Sequence, residues 1–523
     1  MTTQPVNHYS DFTALYMKCR NLFSEVKKSP ESSFAETIGT IQNILHNRPH
    51  ADKKNAPLLF KTAAETLTEI ILRSQEINDR QKALGVLQQF VMQNLGDPCL
   101  AAAQALGCLP LKLPSPSIKP NLPPRSKELS WETLMSLSPI RPHKSLWAGR
   151  SLILSNPDSN QVMVLKFSRT PQEEILLSRE VAWMEMLDHQ QSTFDLRCEI
   201  PEPLQLDNTC LFSINSPGFL QKNQEYQAKA IAYVVDKDYF VYPCQSQSQT
   251  CNFESFQEIM SRSSFLLGQF TSRGIIHSAP IPLFHNQTQQ NRRNDNGLYL
   301  WLRKGRLDSW LSSCLYPNFG LSGLRDFEHL TTPDPSPRHL FQDIGTHILS
   351  LFLVAGSFFR LREPKQIGLN KDGTPKDMRH LFEPQALKEL LENIFQNYYY
   401  GFVGQPFSST MPAQIKFVVE RMIEEMGVDR YMTEVFRVRD QLEMTEEQFI
   451  DFLVKKGLNQ KEAYSMPKGV QEINLYTGPH LGQFNRQISL PEIIDFTASA
   501  AAVCIAAKHM AQRNISIFHL WAN

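Results

Sequence analysis

A lysine and an aspartate about 160 residues apart are the side chains whose setting most favours chemistry. Lys166 stands in the apolar segment 162–167, where a buried ammonium costs several kcal/mol unless an opposite charge pairs with it. Glu180, in a predicted helix that follows, is suited to that pairing. Asp326 comes much later, and carboxylate oxygens are ligands that Mg²⁺ favours, with phosphates and waters completing its coordination. The sequence therefore predicts binding of a nucleotide with Mg²⁺.

Residues on either side of Asp326 could complete such a site. An arginine can hold a phosphate through two hydrogen bonds, and an asparagine can offer Mg²⁺ a neutral oxygen. Arg306 and Asn318 are of these types, Tyr316 lies between them, and Glu328 adds a second carboxylate. Plainer interpretations stay open: Arg306 pairs with Asp308 or Glu328, Tyr316 only packs, and Asp326 pairs with Arg325 or caps a helix. The strand lysine would then merely protect a sheet edge.

The order of lysine and aspartate is that of protein-kinase folds, but two kinase motifs are missing from the sequence. A protein kinase carries His-Arg-Asp with an asparagine five residues later. His277 and Asn286 have nearly that spacing, with no aspartate between them. The carboxylate that receives a hydroxyl proton is thus missing, which argues against ordinary serine or threonine phosphorylation. A GxGxxG loop is missing too, and 147–151 is the only candidate for a phosphate loop.

The predicted elements around these residues alternate as in the two lobes of a kinase. We predict a hairpin at 146–170, a helix at 171–189, a second hairpin at 229–243, a helix at 254–272 and a strand at 297–303. The fold class expected is α+β, with a bilobal protein-kinase-like core flanked by N-terminal and C-terminal helical regions.

Composition divides the chain into four parts. Apolar residues at helical spacing predict an N-terminal helical region over 1–108. Six prolines between 109 and 125 predict a linker, 109–129. We place the kinase-like catalytic core at 130–337 and a C-terminal helical region at 338–523, with helices expected in particular at 413–427, 428–441 and 489–514.

Composition also argues against several classes of protein. The 53 basic residues balance 53 acidic ones, so no overall charge favours nucleic acid or anionic lipid. The nine cysteines form no CxxC pair and indicate neither a disulfide framework nor a zinc site. The N-terminus lacks the form of a signal peptide, and the apolar runs near 349–359 and 497–507 are shorter than the roughly 20 residues of a membrane span. We expect a soluble, intracellular protein, or one delivered by a route without a conventional signal.

Several of these motifs resemble the SidJ-like family of kinase-fold protein glutamylases, which are bacterial effectors acting in the host cytosol. The resemblance covers roughly residues 130–360. It is carried by the hairpin lysine, Gly-Ile-Ile-His at 274–277, and the spaced residues Arg306, Tyr316, Asn318 and Asp326. The family implies an ATP- and Mg²⁺-dependent transfer of free glutamate to a carboxylate on a target protein, through an acyl-adenylate.

The resemblance also implies roles for single residues. Lys166 and Arg306 would hold phosphates, with Glu180 as the partner of the lysine. Asn318 and Asp326 would hold Mg²⁺, Tyr316 would line the catalytic pocket, and His277 would belong to a second nucleotide pocket.

One residue departs from the pattern of the family. Three residues after Asp326, where the family has a second acid, this chain has His329. Either Glu328 replaces that acid as a metal ligand, or the metal site is different.

The family further implies activation by calmodulin bound to a C-terminal helix. The candidate helix here, 493–513, is apolar with some basic residues but has no clear IQ-type pattern, and a buried core helix is the alternative. Three other functions stay open: a protein AMP-transferase, a non-catalytic pseudokinase that binds a partner, and a small-molecule carboxylate ligase related to siderophore synthetases.

Overall fold

The computed structural model describes most of the first 361 residues and several segments beyond them. The residues described are 8–28, 33–46, 56–93, 96–106, 109, 127–148, 150–194, 198–214, 227–244, 253–285, 313, 316–333, 337–361, 384–404, 413, 417, 445–455, 459–465, 472–476 and 483–487. Helices and a mixed sheet occur together in these segments, which confirms the predicted α+β class.

Helices account for the N-terminal part of the described residues. They are α1 (His8–Lys28), α2 (Ala35–His46), α3 (Ala56–Arg73), α4 (Ile77–Gln93) and α5 (Asp97–Leu106). In α3, Leu59, Ala63, Leu67 and Ile70 are buried, a spacing that puts them on one face of the helix. One cluster of buried apolar side chains runs from these helices into the rest of the molecule.

The described residues between 127 and 236 form a seven-stranded sheet. Its strands are β1 (Lys127–Leu129), β2 (Lys144–Ala148), β3 (Ser151–Ser155), β4 (Gln161–Phe167), β5 (Glu202–Pro203), β6 (Phe212–Ile214) and β7 (Lys229–Asp236). Their order is β1-β6-β7-β4-β3-β2, with β5 paired to β7. The β1–β6 pair is parallel and the other pairs are antiparallel, so the sheet is mixed.

The predicted hairpin at 146–170 is confirmed as β3 and β4. Polar side chains close its turn: the Asp158 N–H donates to Asn156 Oδ1 at 2.9 Å, and the Gln161 N–H donates to Ser159 Oγ at 3.0 Å. Short polar residues thus explain why the chain reverses at this point.

The alternation of side chains along β4 decides where Lys166 points. Met163, Leu165 and Phe167 belong to a cluster on one face of the sheet, which the short helix α6 (Trp131–Ser136) also joins. Val162 and Val164 belong to the other cluster, together with apolar residues of α7 (Pro171–Phe194). Because successive side chains of a strand point to opposite faces, Lys166 lies on the α7 face.

The predicted hairpin at 229–243 is wrong in its second half. After β7 the chain enters a 3-10 helix, Lys237–Phe240, instead of a returning strand. Tyr239 and Phe240 are buried, and the Tyr239 ring packs edge-on against Tyr233 of β7. The apolar residues that suggested a strand therefore serve to pack a tight turn.

The segments after this turn comprise a long helix and four very short strands. Helix α8 (Phe253–Ser272) corresponds to the predicted helix at 254–272. Four two-residue strands follow: β8 (Ile276–His277), β9 (Phe319–Gly320), β10 (Gly323–Leu324) and β11 (Leu330–Thr331). β9 pairs with β10 and β11 pairs with β8, so the residues between β10 and β11 are held from both ends.

The C-terminal region is mostly helical where it is described, but not entirely. Its helices are α9 (Pro337–Leu361), α10 (Pro384–Val403), α11 (Glu446–Lys455) and α12 (Gln460–Ser465). The region also contains an antiparallel hairpin, β12 (Glu472–Tyr476) and β13 (Gln483–Gln487), which corrects the prediction of helix throughout. The predicted strand at 297–303 and the predicted helices at 489–514 lie outside the described residues, as do 413–427 and 428–441 apart from two single residues.

Helices α8 and α10 cross at very short distance because each has a glycine at the contact. A Cβ atom on Gly268 would lie 2.0 Å from the Tyr398 carbonyl oxygen, and one on Gly401 would lie 1.9 Å from the Phe265 carbonyl oxygen. Both glycines are therefore required by the packing of backbone against backbone. In the described part of the chain, no helix is both long and apolar enough to cross a membrane.

Candidate functional site

A buried lysine between two carboxylates is the centre of the site. Lys166 is 6% exposed, and its Nζ donates to Glu180 Oε1 and to Asp326 Oδ1, each at 2.7 Å. Glu180 comes from α7 and is fully buried. The structure thus brings together three of the residues singled out in the sequence, although Asp326 is far from the other two along the chain.

The ionisation of the three groups follows from burial and from their contacts. Burial opposes the charge on Lys166, but Asp326 and Glu180 overcome this and hold the pKa of the lysine well above its usual range. Burial likewise opposes charge on Asp326, while Lys166 and then His285 hold the pKa of the aspartate well below its usual range. For Glu180, burial dominates the opposing effect of Lys166 and raises the pKa to about 7. Near neutral pH the Lys166–Asp326 contact is therefore an ion pair.

The backbone at Asp326 is left-handed, with φ 51° and ψ 58°. Aspartate tolerates this conformation better than most residues, and such positions are common where a side chain must be aimed precisely at a site. The next residues, Phe327–His329, form a 3-10 turn in which Phe327 is completely buried. The turn is thereby anchored in the core, and Asp326 is directed toward the sheet.

A second ion pair connects the sheet to the same turn. Arg150, between β2 and β3, contacts Glu328 Oε2, and His329 Nε2 lies 3.3 Å from Glu328 Oε1. Burial opposes charge on Glu328, but Lys166, His329 and Arg150 together lower its pKa to about 2. Glu328, predicted as a metal ligand, is thus already paired with Arg150 through Oε2 and lies beside His329 through Oε1.

Arg150 is only partly satisfied by this contact. Its Nη1 atom is buried and has no hydrogen-bond partner among the described residues. A buried guanidinium nitrogen without an acceptor is costly, and anionic oxygens are the partners that suit it. We call Lys166, Glu180, Asp326, Arg150 and Glu328 the charged cluster.

Asn318 lies beside the charged cluster. Its Nδ2 donates to the Ala279 carbonyl oxygen and to His285 Nε2, both at 2.8 Å. His285 Nε2 in turn lies 3.5 Å from Asp326 Oδ2, the oxygen that Lys166 does not bind. Asn318 and Asp326, the predicted pair of metal ligands, are thus both neighbours of a histidine that the sequence analysis did not select.

His277 is placed differently from its expected role in a nucleotide pocket. It is 1% exposed, its Nε2 donates to the Arg325 carbonyl oxygen at 2.7 Å, and its Nδ1 accepts from the Ala279 N–H at 3.3 Å. Burial lowers its pKa to about 3, so the ring is neutral. Neither nitrogen is left for a nucleotide. The second pocket itself stays a prediction, because residues 286–312 lie outside the described part of the chain.

A chain of neutral hydrogen bonds holds His277 from behind. His347 Nε2 donates to the His277 carbonyl oxygen at 3.0 Å, so its Nδ1 must accept from the Tyr398 hydroxyl at 2.9 Å. The same hydroxyl lies 2.9 Å from Thr271 Oγ1. We call His277, His347, Tyr398 and Thr271 the neutral network. It joins β8, α9, α10 and α8.

Tyr316 and Arg325 both pack against Tyr242. The Tyr316 ring packs edge-on against Tyr242, with ring centroids 5.3 Å apart. The Arg325 guanidinium stacks on Tyr242 at 3.8 Å and donates to the carbonyl oxygens of Tyr239, Pro317 and Phe319. Tyr316 stands two residues before Asn318 in the same segment. Arg306, the predicted phosphate ligand, lies outside the described residues.

Two residues that the sequence analysis did not select are Arg150 and His285. Arg150 lies in the segment 147–151, which was the only candidate for a phosphate loop, so its position was a usable signal. His285 precedes Asn286 in the segment compared with His-Arg-Asp, but nothing in that pattern indicated that its ring would approach Asp326.

The described residues contain no group of three or more histidine, cysteine, aspartate or glutamate side chains able to hold a metal by themselves. A metal at Asp326 would therefore need further ligands, such as phosphate oxygens and waters. No protein-family model matches the chain, and no curated protein matches it either. The function therefore has to be argued from the geometry of the site.

Proposed function

We propose that this protein is an ATP- and Mg²⁺-dependent protein-modifying transferase with a kinase-like core, acting as a protein glutamylase. The observation that carries the proposal is the Lys166 ammonium, buried on the sheet and held by Glu180 of α7 and by Asp326. A strand lysine paired with a helix glutamate, close to an aspartate that can bind a metal, is the arrangement by which kinase folds hold ATP. The finer assignment, glutamate transfer, rests on the resemblance to SidJ-like proteins.

The residues present fit a nucleotide with its metal. Lys166 and Arg150 supply two cations that contact the same turn, at Asp326 and at Glu328. Arg150 Nη1 still needs an acceptor, which a phosphate oxygen would provide. Asp326 Oδ2 and Asn318 would hold the metal. Bound there, Mg²⁺ would neutralise charge on the phosphate oxygens.

The proposed reaction balances as two displacements. A carboxylate oxygen of the acceptor protein bonds to the α-phosphorus of ATP, and pyrophosphate leaves. The amine of free glutamate then attacks the acyl carbon and loses a proton, and AMP leaves as the isopeptide bond forms. A carboxylate is already a nucleophile, so the first step needs no aspartate of the His-Arg-Asp type. The residues of the chain would act by positioning and by neutralising charge.

The test is incorporation of labelled glutamate by the purified full chain with ATP and MgCl₂, with and without calmodulin. We expect label on protein, the chain itself included, and its loss in Lys166→Met and Asp326→Asn. Lys61→Met is a matched control, because Lys61 lies exposed on α3 in an i,i+4 pair with Glu65. Stable transfer of AMP from ATP without glutamate would identify an AMP-transferase instead.

A second candidate, a non-catalytic pseudokinase, is favoured by one observation. Both cations of the charged cluster already have carboxylate partners, Lys166 with Glu180 and Asp326, and Arg150 with Glu328. A chain that never binds nucleotide would be stable in this state. Equilibrium binding of a fluorescent ATP analogue separates the two: binding that is lost in Lys166→Met supports the enzyme, and no binding supports the pseudokinase.

A further inference from the structure

A groove runs along α8 on the side away from the neutral network. Its volume is about 800 Å³, which is within the range of ligand sites. Residues of α8 that are three or four apart line it from Arg262 through Phe265 onward, and Arg273 lines it just after the helix ends. Thr271 is nine residues from Arg262, about half a turn round the helix, and its hydroxyl belongs to the neutral network instead. The groove is thus a site separate from the charged cluster.

Aromatic rings and an oriented amide form the middle of the groove. Phe265 packs edge-on against Tyr400 of α10 with ring centroids 4.8 Å apart, and both side chains are half-buried. Asn397, one turn before Tyr400, also lines the groove, and its Nδ2 donates to the carbonyl oxygen and to Oδ1 of Asn393, each at 2.9 Å. The oxygen of the Asn397 amide is therefore the atom that could accept from a backbone N–H. An apolar surface beside an oriented acceptor suits a peptide better than a hydrocarbon chain.

Two arginines stand along the groove, three helical turns apart. Arg262 and Arg273 are eleven residues apart, which is about 16 Å along the helix. Arg262 Nη1 donates to the Leu321 carbonyl oxygen at 2.9 Å, and Arg273 Nη1 donates to the Gln269 carbonyl oxygen at 3.1 Å. Backbone contacts thus hold both side chains at the groove. Because a guanidinium pairs with a carboxylate through two parallel hydrogen bonds, two carboxylates of one ligand suit these positions.

An acidic residue gives the groove a direction. Glu258 lines it one turn before Arg262 and is exposed. A uniformly acidic segment would be repelled at that end, whereas a segment whose acids are limited to the two arginines would not. The lining therefore favours spaced acids over a continuous acidic run.

We propose that this groove docks an extended segment of the acceptor protein, with two acidic side chains about five residues apart and apolar residues between them. An extended chain advances about 3.3 Å per residue, so five residues cover the separation of the arginines. The acids pair with Arg262 and Arg273, and the apolar side chains pack on Phe265 and Tyr400. That the partner is the acceptor protein rests on the proposed function; the chemistry of the docked segment does not.

The test is fluorescence anisotropy of labelled peptides titrated with the full chain. The probe is a peptide of about eight residues with two glutamates five positions apart and leucine and glycine between them. The reference peptide has the same composition with the two glutamates adjacent. We expect the spaced peptide to bind at least about tenfold more tightly than the reference, because only the spaced one reaches both arginines.

Substitutions at one end of the groove test the pairing directly. Arg273→Gln should weaken binding of the spaced peptide about tenfold or more. Arg20→Gln is the matched control, because Arg20 is exposed on α1, and it should leave that affinity unchanged within about twofold. In Arg273→Glu, a lysine in place of one peptide glutamate should restore binding. Only one of the two possible lysine peptides should do so, because the docked segment has one direction.

Several results would overturn the proposal. They are equal affinity for the spaced and adjacent peptides, affinity that Arg273→Gln leaves unchanged, and no peptide binding up to about 1 mM. Tighter binding of oleate, with displacement of the peptide, would assign the groove to an acyl carboxylate instead.

The outcomes also separate this proposal from the proposed function. Binding of a fluorescent ATP analogue without peptide binding would leave the transferase standing and remove the docking groove. Binding of the spaced peptide without any nucleotide binding would retain the docking groove and remove the transferase.

Discussion

The charged cluster and the neutral network meet beside Asp326, where His277 donates to the Arg325 carbonyl oxygen. They differ in how far their polar atoms are satisfied. The charged cluster has three carboxylates against two cations, and it leaves Arg150 Nη1 and Glu180 Oε2 without partners among the described residues. In the neutral network, both ring nitrogens of His277 and of His347 and the hydroxyls of Tyr398 and Thr271 all have partners. Unsatisfied charge is expensive inside a protein, so it indicates where a ligand is expected, whereas a satisfied network indicates scaffold.

This contrast makes different predictions for substitutions in the two clusters. Changes in the charged cluster should alter ligand binding and should have stability effects that a second substitution can reverse. Changes in the neutral network should alter stability alone.

The largest effect is expected for Lys166→Met. It leaves Glu180 buried without its counter-ion, and breaking a buried pair in this way costs about 3–5 kcal/mol of unfolding free energy. The double variant Lys166→Met with Glu180→Gln should recover most of that loss, yet still fail to bind nucleotide. Urea denaturation and analogue binding measure the two effects.

Lys61→Met is the control for that measurement. Its exposed pair with Glu65 has a separation of 3.9 Å, and the stability change should stay within about 0.5 kcal/mol. If Lys166→Met were as stable as Lys61→Met, the contacts of the charged cluster would not be those described.

The next effect concerns the helix crossing that carries the neutral network. In Gly268→Ala the new methyl group would meet the Tyr398 carbonyl oxygen, and we expect a net loss of about 1–3 kcal/mol. Gly85→Ala on α4 is the matched control, since no atom lies within 4 Å of its Cβ position, and it should gain about 0.5–1 kcal/mol from helix propensity. Thermal or urea unfolding measures both variants. If Gly268→Ala gained stability as Gly85→Ala does, the close crossing of α8 and α10 would be disproved.

The third prediction is a dependence of stability on pH. The pKa of His277 is lowered to about 3, from about 6.5 when unfolded, so between these values the unfolded chain binds a proton that the folded chain does not. Its contribution to stability therefore falls as the pH falls from 6.5, by up to about 1.4 kcal/mol per pH unit. Glu180, whose pKa is raised to about 7, acts in the opposite direction between pH 7 and its unfolded value.

A difference measurement isolates the histidine from the glutamate. The difference in unfolding free energy between wild type and His277→Gln, measured by urea denaturation, should be smaller at pH 4.5 than at pH 7. A difference that did not change with pH would mean that His277 is protonated or accessible in the folded protein.

Parts of the site could be predicted from the sequence because they follow from local rules. The alternation of β4 puts Lys166 on the α7 face, and a glutamate on the next helix is the partner that a buried lysine requires. The contact between Arg150 and Glu328 could not be predicted, because it joins two turns 178 residues apart whose relative position depends on the whole core. His285 was missed for a similar reason: its approach to Asp326 depends on a 3-10 turn, Pro282–Phe284, that no pattern indicated.

The error at 229–243 has a related physical cause. Aromatic residues such as Tyr239 and Phe240 favour strands on average, but here the Tyr239 ring packs edge-on against both Phe240 and Tyr233 in a turn. Strand propensity reflects how well a side chain packs on a pleated sheet. A buried, equally apolar turn favours the same residues, so propensity alone does not separate the two. The same ambiguity affects any short aromatic segment that follows a strand.

The smallest effect, and the sharpest test of the contrast, is Thr271→Val. Its hydroxyl lies between the Tyr398 hydroxyl and the Leu267 carbonyl oxygen, and valine keeps the shape while removing it. Tyr398 would keep its bond to His347, so we expect a loss of only about 1 kcal/mol, with nucleotide and metal affinity unchanged within about twofold. Urea denaturation and analogue binding on the same preparation measure both. A loss of binding without a loss of stability would show that the neutral network acts on the site, and the division between scaffold and ligand site would then fail at the residue where it is most easily tested.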